Sequence, residues 1–286
     1  MNLQAILTIA QLTFHEARRK RVTAAALLLG VAFVLLYTIG FLFVMNEVRA
    51  EAIRAGEPAP TAADSVEVIG FIALAGLYAA NFLGVMMSAL LPVDTLSGEI
   101  RSGAIQTLLT KPAHRGDVLL GKWFGFWIIL MIYMALITGG VVMSTALIAQ
   151  FTPPNAAGGI ALMLLESTVV LTISITCGTR LSTLANGVVV FGLYGLAFIG
   201  GWIERIGTML GNRTAENIGV ITSLLMPTEV LWQLAAFQMQ PPLLRDLGLS
   251  PFSSATEPSA LMVVWVGGFI VVLLLLALRW FSRRDL

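Results

Sequence analysis

Six apolar runs, each long enough to cross a hydrocarbon core about 30 Å thick, alternate with polar breaks along this chain. They fall at roughly 23–46, 67–92, 122–149, 158–179, 186–203 and 260–280. Ahead of the first, Leu3, Ile6, Leu7, Ala10 and Phe14 recur at helical spacing, with Gln4, Thr8, Gln11 and Arg18 on another face. The stretch ends in Arg18-Arg19-Lys20-Arg21. A signal peptide carries its charges before its apolar core and a small-residue cleavage site after it. Here the order is reversed, so residues 1–21 predict an elbow-like helix lying on the membrane surface, with an ordinary solvated helix as the alternative.

Composition agrees with a bilayer as the main solvent. The 286 residues are 57% hydrophobic and 12% charged, against about 25% charged in a soluble domain. The fold class that follows is an all-α membrane protein forming one transmembrane domain over residues 1–286. The net charge of +1 says little, but the placement of charge says more. Arg18 to Arg21, then Arg101, Lys111, Arg115 and Lys122, then Arg180, then Arg279, Arg283 and Arg284 all fall on one side of the spans. The other side receives Glu47, Glu51, Glu57, Asp64 and Glu67 with only Arg49 and Arg54. The positive-inside rule then expects both termini in the cytoplasm of a multi-pass cell-membrane protein. The lone Cys177 excludes an intramolecular disulfide.

Residues 204–259 resist a simple crossing. The apolar run at 218–226 is stopped by Pro227 and followed by Glu229, and a crossing here would put Arg283 and Arg284 on the outer side. A re-entrant or interfacial helix pair on that side is expected, with Leu231, Leu234 and Phe237 on one face of the second helix.

The most informative break is residues 94–121. Pro92 is expected to end the second span and Asp94 to cap a new helix, on which Leu96, Ile100, Ala104 and Leu108 share a face. Lys111-Pro112 breaks that helix before His114, Arg115 and Asp117 lead into the third span. A short amphipathic helix tied to two spans suits a coupling element; a plain surface loop is the other physical reading.

The run SGEIRSGAIQTLLTKPAHRGDVLLGK resembles the first cytoplasmic loop of ABC-2 type transporter permeases. The matching positions are Glu99, Gly103, Leu108-Leu109, Lys111-Pro112, Arg115 and Leu119-Leu120-Gly121-Lys122. The stretch 181–201, with Ser182-Thr183 and Ala185-Asn186-Gly187, is similar to members of the same family. The resemblance implies a permease subunit of an ATP-driven transporter, working as an exporter, with six spans, an elbow helix and a coupling helix. It implies a second permease subunit, identical or paralogous, and a separate ATPase subunit that binds the ATP. This chain would then hold no cofactor and hydrolyse nothing itself. Gly98, Glu99, Arg101 and Gly103 would form the ATPase-coupling contact. Lipid and these subunits are the expected partners, with no nucleic acid.

Other chemistry is sparse. Residues 116–122 read G-D-V-L-L-G-K, but a phosphate-binding loop needs Ser or Thr next, and Trp123 stands there. No zinc, nucleophile-elbow or paired-cysteine motif occurs, so no catalytic or metal residue is assigned. Glu166 lies inside the fourth span, where an ionisable group marks either a pathway or a helix contact. An ion-coupled secondary transporter using Glu166 is the alternative function. Ser167, Thr168, Thr172, Ser174 and Thr176 make this span hydroxyl-rich and suggest close helix packing. Gly121 and Gly125, and Gly192, Gly195, Gly200 and Gly201, are expected to permit close helix approach. Asn212-Arg213-Thr214 matches a glycosylation acceptor, which carries weight only in a secretory setting.

Overall fold

In the computed structural model the described residues are 2–55, 66–102 (backbone alone from 94 to 102), 114–242, 244 and 259–283. They are helical throughout, in the order α1 (Leu3–Arg18), α2 (Arg21–Arg54), α3 (Val66–Ser102), α4 (Arg115–Ala149), α5 (Ala156–Gly178), α6 (Thr183–Leu210), α7 (Arg213–Leu225), α8 (Thr228–Met239) and α9 (Leu261–Ser282). Six stretches are long and apolar enough to span a membrane: α2, α3 as far as Val93, α4, α5, α6 and α9. The residues flanking these spans lengthen several of the sequence-predicted runs by one or two turns.

The bundle is built around α5. In its most apolar stretch 72% of the residues are buried, whereas the figure is 11% for α2 and for α9. The central helix touches α3, α4, α6, α8 and α9, and α2 and α9 flank the bundle with largely lipid-type faces. Leu28, Leu36 and Phe43 on α2 and Val264 and Leu275 on α9 are exposed accordingly.

The spanning stretch of α3 ends beside Pro92, at Val93, but the helix itself does not. The α3 helix runs through it to Ser102, so no separate helix begins at Asp94. Proline removes one rung of the backbone ladder and crowds the preceding turn. The carbonyl that loses its donor is that of Ser88; in the same turn the Ser174 hydroxyl of α5 donates to the neighbouring Ala89 carbonyl at 3.0 Å and ties α3 to α5.

The amphipathic N-terminal helix forms and docks on the start of α4. The Asn2 side chain caps α1 by accepting from Gln4 N–H at 3.1 Å. Its own N–H donates to both oxygens of the buried Asp117 carboxylate, at 3.2 and 3.3 Å. Asp117 lies in the first turn of α4, so one carboxylate faces the positive ends of two helices. Further along, the backbones close up. A Cβ on Gly121 would stand 2.6 Å from Ile9 Cβ and 2.9 Å from the Ile6 carbonyl oxygen. One on Gly125 would stand 2.7 Å from Thr13 Cβ and 2.8 Å from the Ala10 carbonyl oxygen. The glycine pair entering the third span is therefore a seat for α1.

The segment after α6 is a helix pair bent by 101° at Met226-Pro227. Asn212, the first residue of the acceptor pattern, caps α7: its Oδ1 accepts from Thr214 N–H at 3.0 Å and Ala215 N–H at 3.3 Å. The two helices differ in environment. On α7, Ile221 and Leu225 are exposed, whereas α8 is buried from Thr228 to Ala236. Packing against α5, α6 and α3, with Leu231 and Leu234 buried, sets α8 inside the bundle, so the bent pair is either a broken span or a re-entrant loop.

Candidate functional site

Two regions carry polar chemistry: a seam inside the bundle, and the end of the bundle where α1 meets α4.

The seam starts on α5. Glu166 is 1% exposed and lies eleven residues, about 16 Å of helix, from the cap residue Asn155. Asn81 of α3 donates its Nδ2–H to Glu166 Oε2 at 2.9 Å, while Asn81 Oδ1 has no partner among the described residues. Tyr78, one turn earlier on α3, packs on Trp232 of α8 with ring centroids 5.0 Å apart. Tyr78 and Tyr194 stand within electrostatic reach of both Glu166 and Glu229.

The far side of the seam is an ion pair between α6 and α8. Arg205 Nη2 donates to Glu229 Oε1, and Gln233 Nε2 approaches the same oxygen at 3.5 Å. Arg205 also lies over the Trp202 ring, 5.4 Å from its centroid. The pair is possible because Gly201 leaves room: a Cβ there would be 2.3 Å from Glu229 Cγ. Two charges removed from water are tolerated only when paired and hydrogen-bonded, and here they fix α8 to α6. The bundle thus holds acidic, aromatic and amide groups on α3, α5, α6 and α8, and among the described residues no group of three or more metal-ligating side chains is gathered.

The hydroxyls of α5 mostly tighten the bundle. Thr168 and Thr172 donate to carbonyls one turn back and accept the indole N–H groups of Trp127 and Trp123 at 3.1 and 3.0 Å. Thr176 donates to Thr172 O at 2.7 Å and lies 3.3 Å from Leu273 O of α9. The Asn186 amide of α6 donates to Ser174 O at 2.9 Å. Trp123, the residue that spoils a phosphate-binding loop, is therefore half of a stacked Trp123–Trp127 ladder gripping α5. Of the fifth-span glycines, Gly200 and Gly201 admit Thr222 and Glu229, but Gly192 and Gly195 face open space within this chain.

At the other end, Asp117 and Lys122 are buried, Asp117 against the start of α1. Arg115 Nη1 donates to the Ser282 carbonyl of α9 at 3.3 Å, and the Arg180 guanidinium sits 5.3 Å from the Trp280 ring centroid. These contacts collect α1, α4, α5 and α9 at the end of the bundle from which α3 continues past Val93. Of the expected coupling residues, Gly98, Glu99 and Arg101 lie on the backbone of that extension. Their side chains, and Gly103 entirely, lie outside the described residues, as does the rest of the stretch to Ala113.

Sequence reasoning singled out Glu166 but missed Asn81, a polar residue centred in the second apolar run. It also missed the pairing of Arg205 with Glu229, although both charges sit in unusually apolar surroundings.

One curated relative, named "Probable ABC transporter permease protein NosY" from Stutzerimonas stutzeri, is 35% identical over 71 residues. That match covers 25% of this chain and 26% of the relative, so it speaks for a local stretch. Residues 7–286 match the ABC-2 family transporter protein. That match takes in every helix from the middle of α1 to the end of α9, and the chain belongs to the ABC-2 family of transporter proteins.

Proposed function

We propose that this chain is the permease subunit of an ATP-driven transporter, forming the substrate pathway and driven by a separate ATPase chain. The observation that carries the reading is family membership over nearly the whole chain. The docking of α1 onto the start of α4 supports the mechanical part. In this reading both termini and the 94–121 connection face the cytoplasm, and Gly98, Glu99, Arg101 and Gly103 meet the ATPase. A second permease subunit completes the membrane unit. Charged groups at such a contact set register and partner choice more than raw affinity.

The mechanics follow from the helices. The α3 extension and the start of α4 flank the coupling connection, and α1 is seated on α4 through Gly121 and Gly125. A push at the connection is therefore delivered to α3 and to an α1–α4 unit together. On the opposite side α8 fills the bundle and is held by the Arg205–Glu229 pair. Opening a pathway there requires α8 or α6 to shift. Glu166 and Asn81 lie between these two ends, on helices that must move relative to each other. An ion-coupled mechanism through Glu166 is not favoured, because Glu166 is sealed in the core against Asn81.

The test is proximity cross-linking in native membranes. A photoreactive group attached through Glu99→Cys, in a Cys177→Ser background, is expected to capture an ATPase chain, and one attached through Asn212→Cys to capture none. Capture from Asn212→Cys, or no capture from Glu99→Cys in membranes that retain ATPase activity, contradicts the reading.

A further inference from the structure

An open groove of about 330 Å³ lies between α2 and α3. Leu29, Phe33 and Leu36 of α2 and Ala79, Phe82 and Leu83 of α3 line it. Beyond one end of the groove α2 and α3 close up on each other. One residue past Leu36, the Tyr37 ring fills the space over Gly76, where a Cβ would stand 2.3 Å from Tyr37 Cε2, and the Tyr37 hydroxyl reaches Ile72 O at 3.4 Å. Toward the start of α2, Val22 and Ala25 are exposed, as is Leu90 of α3 at 44%.

That end leads to charge. Arg18, Arg19, Lys20 and Arg21 stand at the α1–α2 corner, and Glu16 is the one carboxylate in residues 3–21. Lys20 takes it, at 3.3 Å. Arg18, Arg19 and Arg21 are exposed, and no ion pair to them occurs among the described residues. Counting 1.5 Å per residue, Leu29 lies about 12 Å and Leu36 about 22 Å along α2 from Arg21. A leaflet has about 15 Å of hydrocarbon beneath its headgroups. With Arg21 among the headgroups, about 6 Å above the hydrocarbon, the groove runs from part-way down the adjacent leaflet to about the bilayer midplane. An acyl chain entering from that leaflet ends against Tyr37.

We infer that the α2–α3 groove and the Arg18–Arg21 corner together form a site for an anionic phospholipid, its phosphate on the arginines and one acyl chain in the groove. Charge complementarity selects the headgroup, and the close approach of α2 and α3 at Tyr37 selects the leaflet, which under the proposed orientation is the cytoplasmic one. A zwitterionic lipid fills the groove equally well but gains less at the arginines. Each arginine near an anionic surface contributes on the order of a fivefold preference.

The experiment uses the full-length chain purified in mild detergent without any ATPase, so its outcome is independent of the proposed coupling. Native mass spectrometry compares retention of phosphatidylglycerol with phosphatidylcholine of the same chains. The expected result is a clear preference for phosphatidylglycerol. It falls on the order of a hundredfold in the Arg18→Ser/Arg19→Ser/Arg21→Ser variant and is lost in Ala79→Trp, which fills the groove. Leu147→Trp, exposed on α4, leaves it unchanged. A second readout leaves the groove open: a fluorophore on Ala32→Cys, in a Cys177→Ser background, is quenched more by doxyl-labelled phosphatidylglycerol than by the phosphatidylcholine analogue. Equal retention of the two lipids overturns the site. So does loss of preference in the arginine variant with Ala79→Trp and Ala32→Cys quenching indifferent to headgroup, which leaves a surface charge effect. A change of oligomeric mass in Ala79→Trp assigns the groove to a second copy of this chain and also overturns it.

Discussion

The seat of α1 on α4 can be broken by single methyl groups. Gly121→Ala places a Cβ 2.6 Å from Ile9 Cβ and 2.9 Å from a backbone oxygen, and Gly125→Ala places one 2.7 Å from Thr13 Cβ and 2.8 Å from another backbone oxygen. Ordinary contact begins near 3.4 Å, so each substitution pushes the helices apart by the better part of an ångström. A carbonyl oxygen inside a helix cannot swing aside as a side-chain tip can. Overpacking of this kind costs about 1–3 kcal/mol, which shifts a docked–undocked equilibrium about 5- to 150-fold. The reporter is Ala17→Cys, at a position 1% exposed, in a Cys177→Ser background. Its labelling by a polar maleimide tracks the undocked fraction. Labelling is expected to be slow in the parent and to accelerate by that factor in Gly121→Ala and in Gly125→Ala. Gly139→Ala is the control: it lies on the same helix with nothing within 4 Å of its added Cβ, and the rate there should not change. Unchanged labelling in the two seat variants, in protein that still elutes as one species, would refute the claim that glycine at these positions holds α1 in place.

Other outcomes follow from the seam and the caps. Arg205→Ala strips the buried Glu229 carboxylate of its guanidinium and should cost about 3–5 kcal/mol in detergent stability, and Glu229→Ala, which leaves only the part-buried Arg205, should cost less. The Arg205→Met/Glu229→Leu double variant should recover most of that loss, and a double variant as weak as the singles would show that the pair itself is not what matters. Glu166→Leu strands the Asn81 amide, at about 1–3 kcal/mol, whereas Glu166→Gln keeps a partner and should unfold within about 1 kcal/mol of the parent. Equal losses in both would place the importance of Glu166 in its charge and not in the contact. Asn212→Ala removes two accepted hydrogen bonds at the start of α7 and should cost about 1 kcal/mol, read as faster amide exchange in α7.

The fold was legible in sequence wherever length and period decide it. Six apolar runs and the 3.6-residue rhythm of Leu3, Ile6 and Ala10 require no knowledge of neighbours. The bend before Glu229 was also legible, because Pro227 and an acid interrupt an apolar stretch. What escaped depends on contacts distant in sequence. Pro92 looks like a terminator, yet α3 runs through it to Ser102, packed in that turn against Ser174 from far along the chain. Glu166 stood out as an acid in a span, but Asn81 gains meaning only when α3 lies against α5. The spacing of Gly121 and Gly125 announced a close approach without naming α1 as the helix that approaches. Gly192 and Gly195 show the converse, since the same residue type leaves an open face within the chain. Hydroxyl richness was read correctly as packing, because Ser and Thr in apolar helices bond to carbonyls one turn back.

The central claim is that an ATPase chain drives these spans through the 94–121 connection. The direct measurement is to purify the tagged protein from its native membranes in mild detergent, with and without Glu99→Arg, and to assay ATP hydrolysis in the eluate. The account predicts that a soluble ATPase co-elutes with the parent and hydrolyses ATP, and that Glu99→Arg loses the ATPase or leaves its activity uncoupled from the membrane subunit. A chain that elutes alone, without ATPase activity and indifferent to Glu99→Arg, contradicts it.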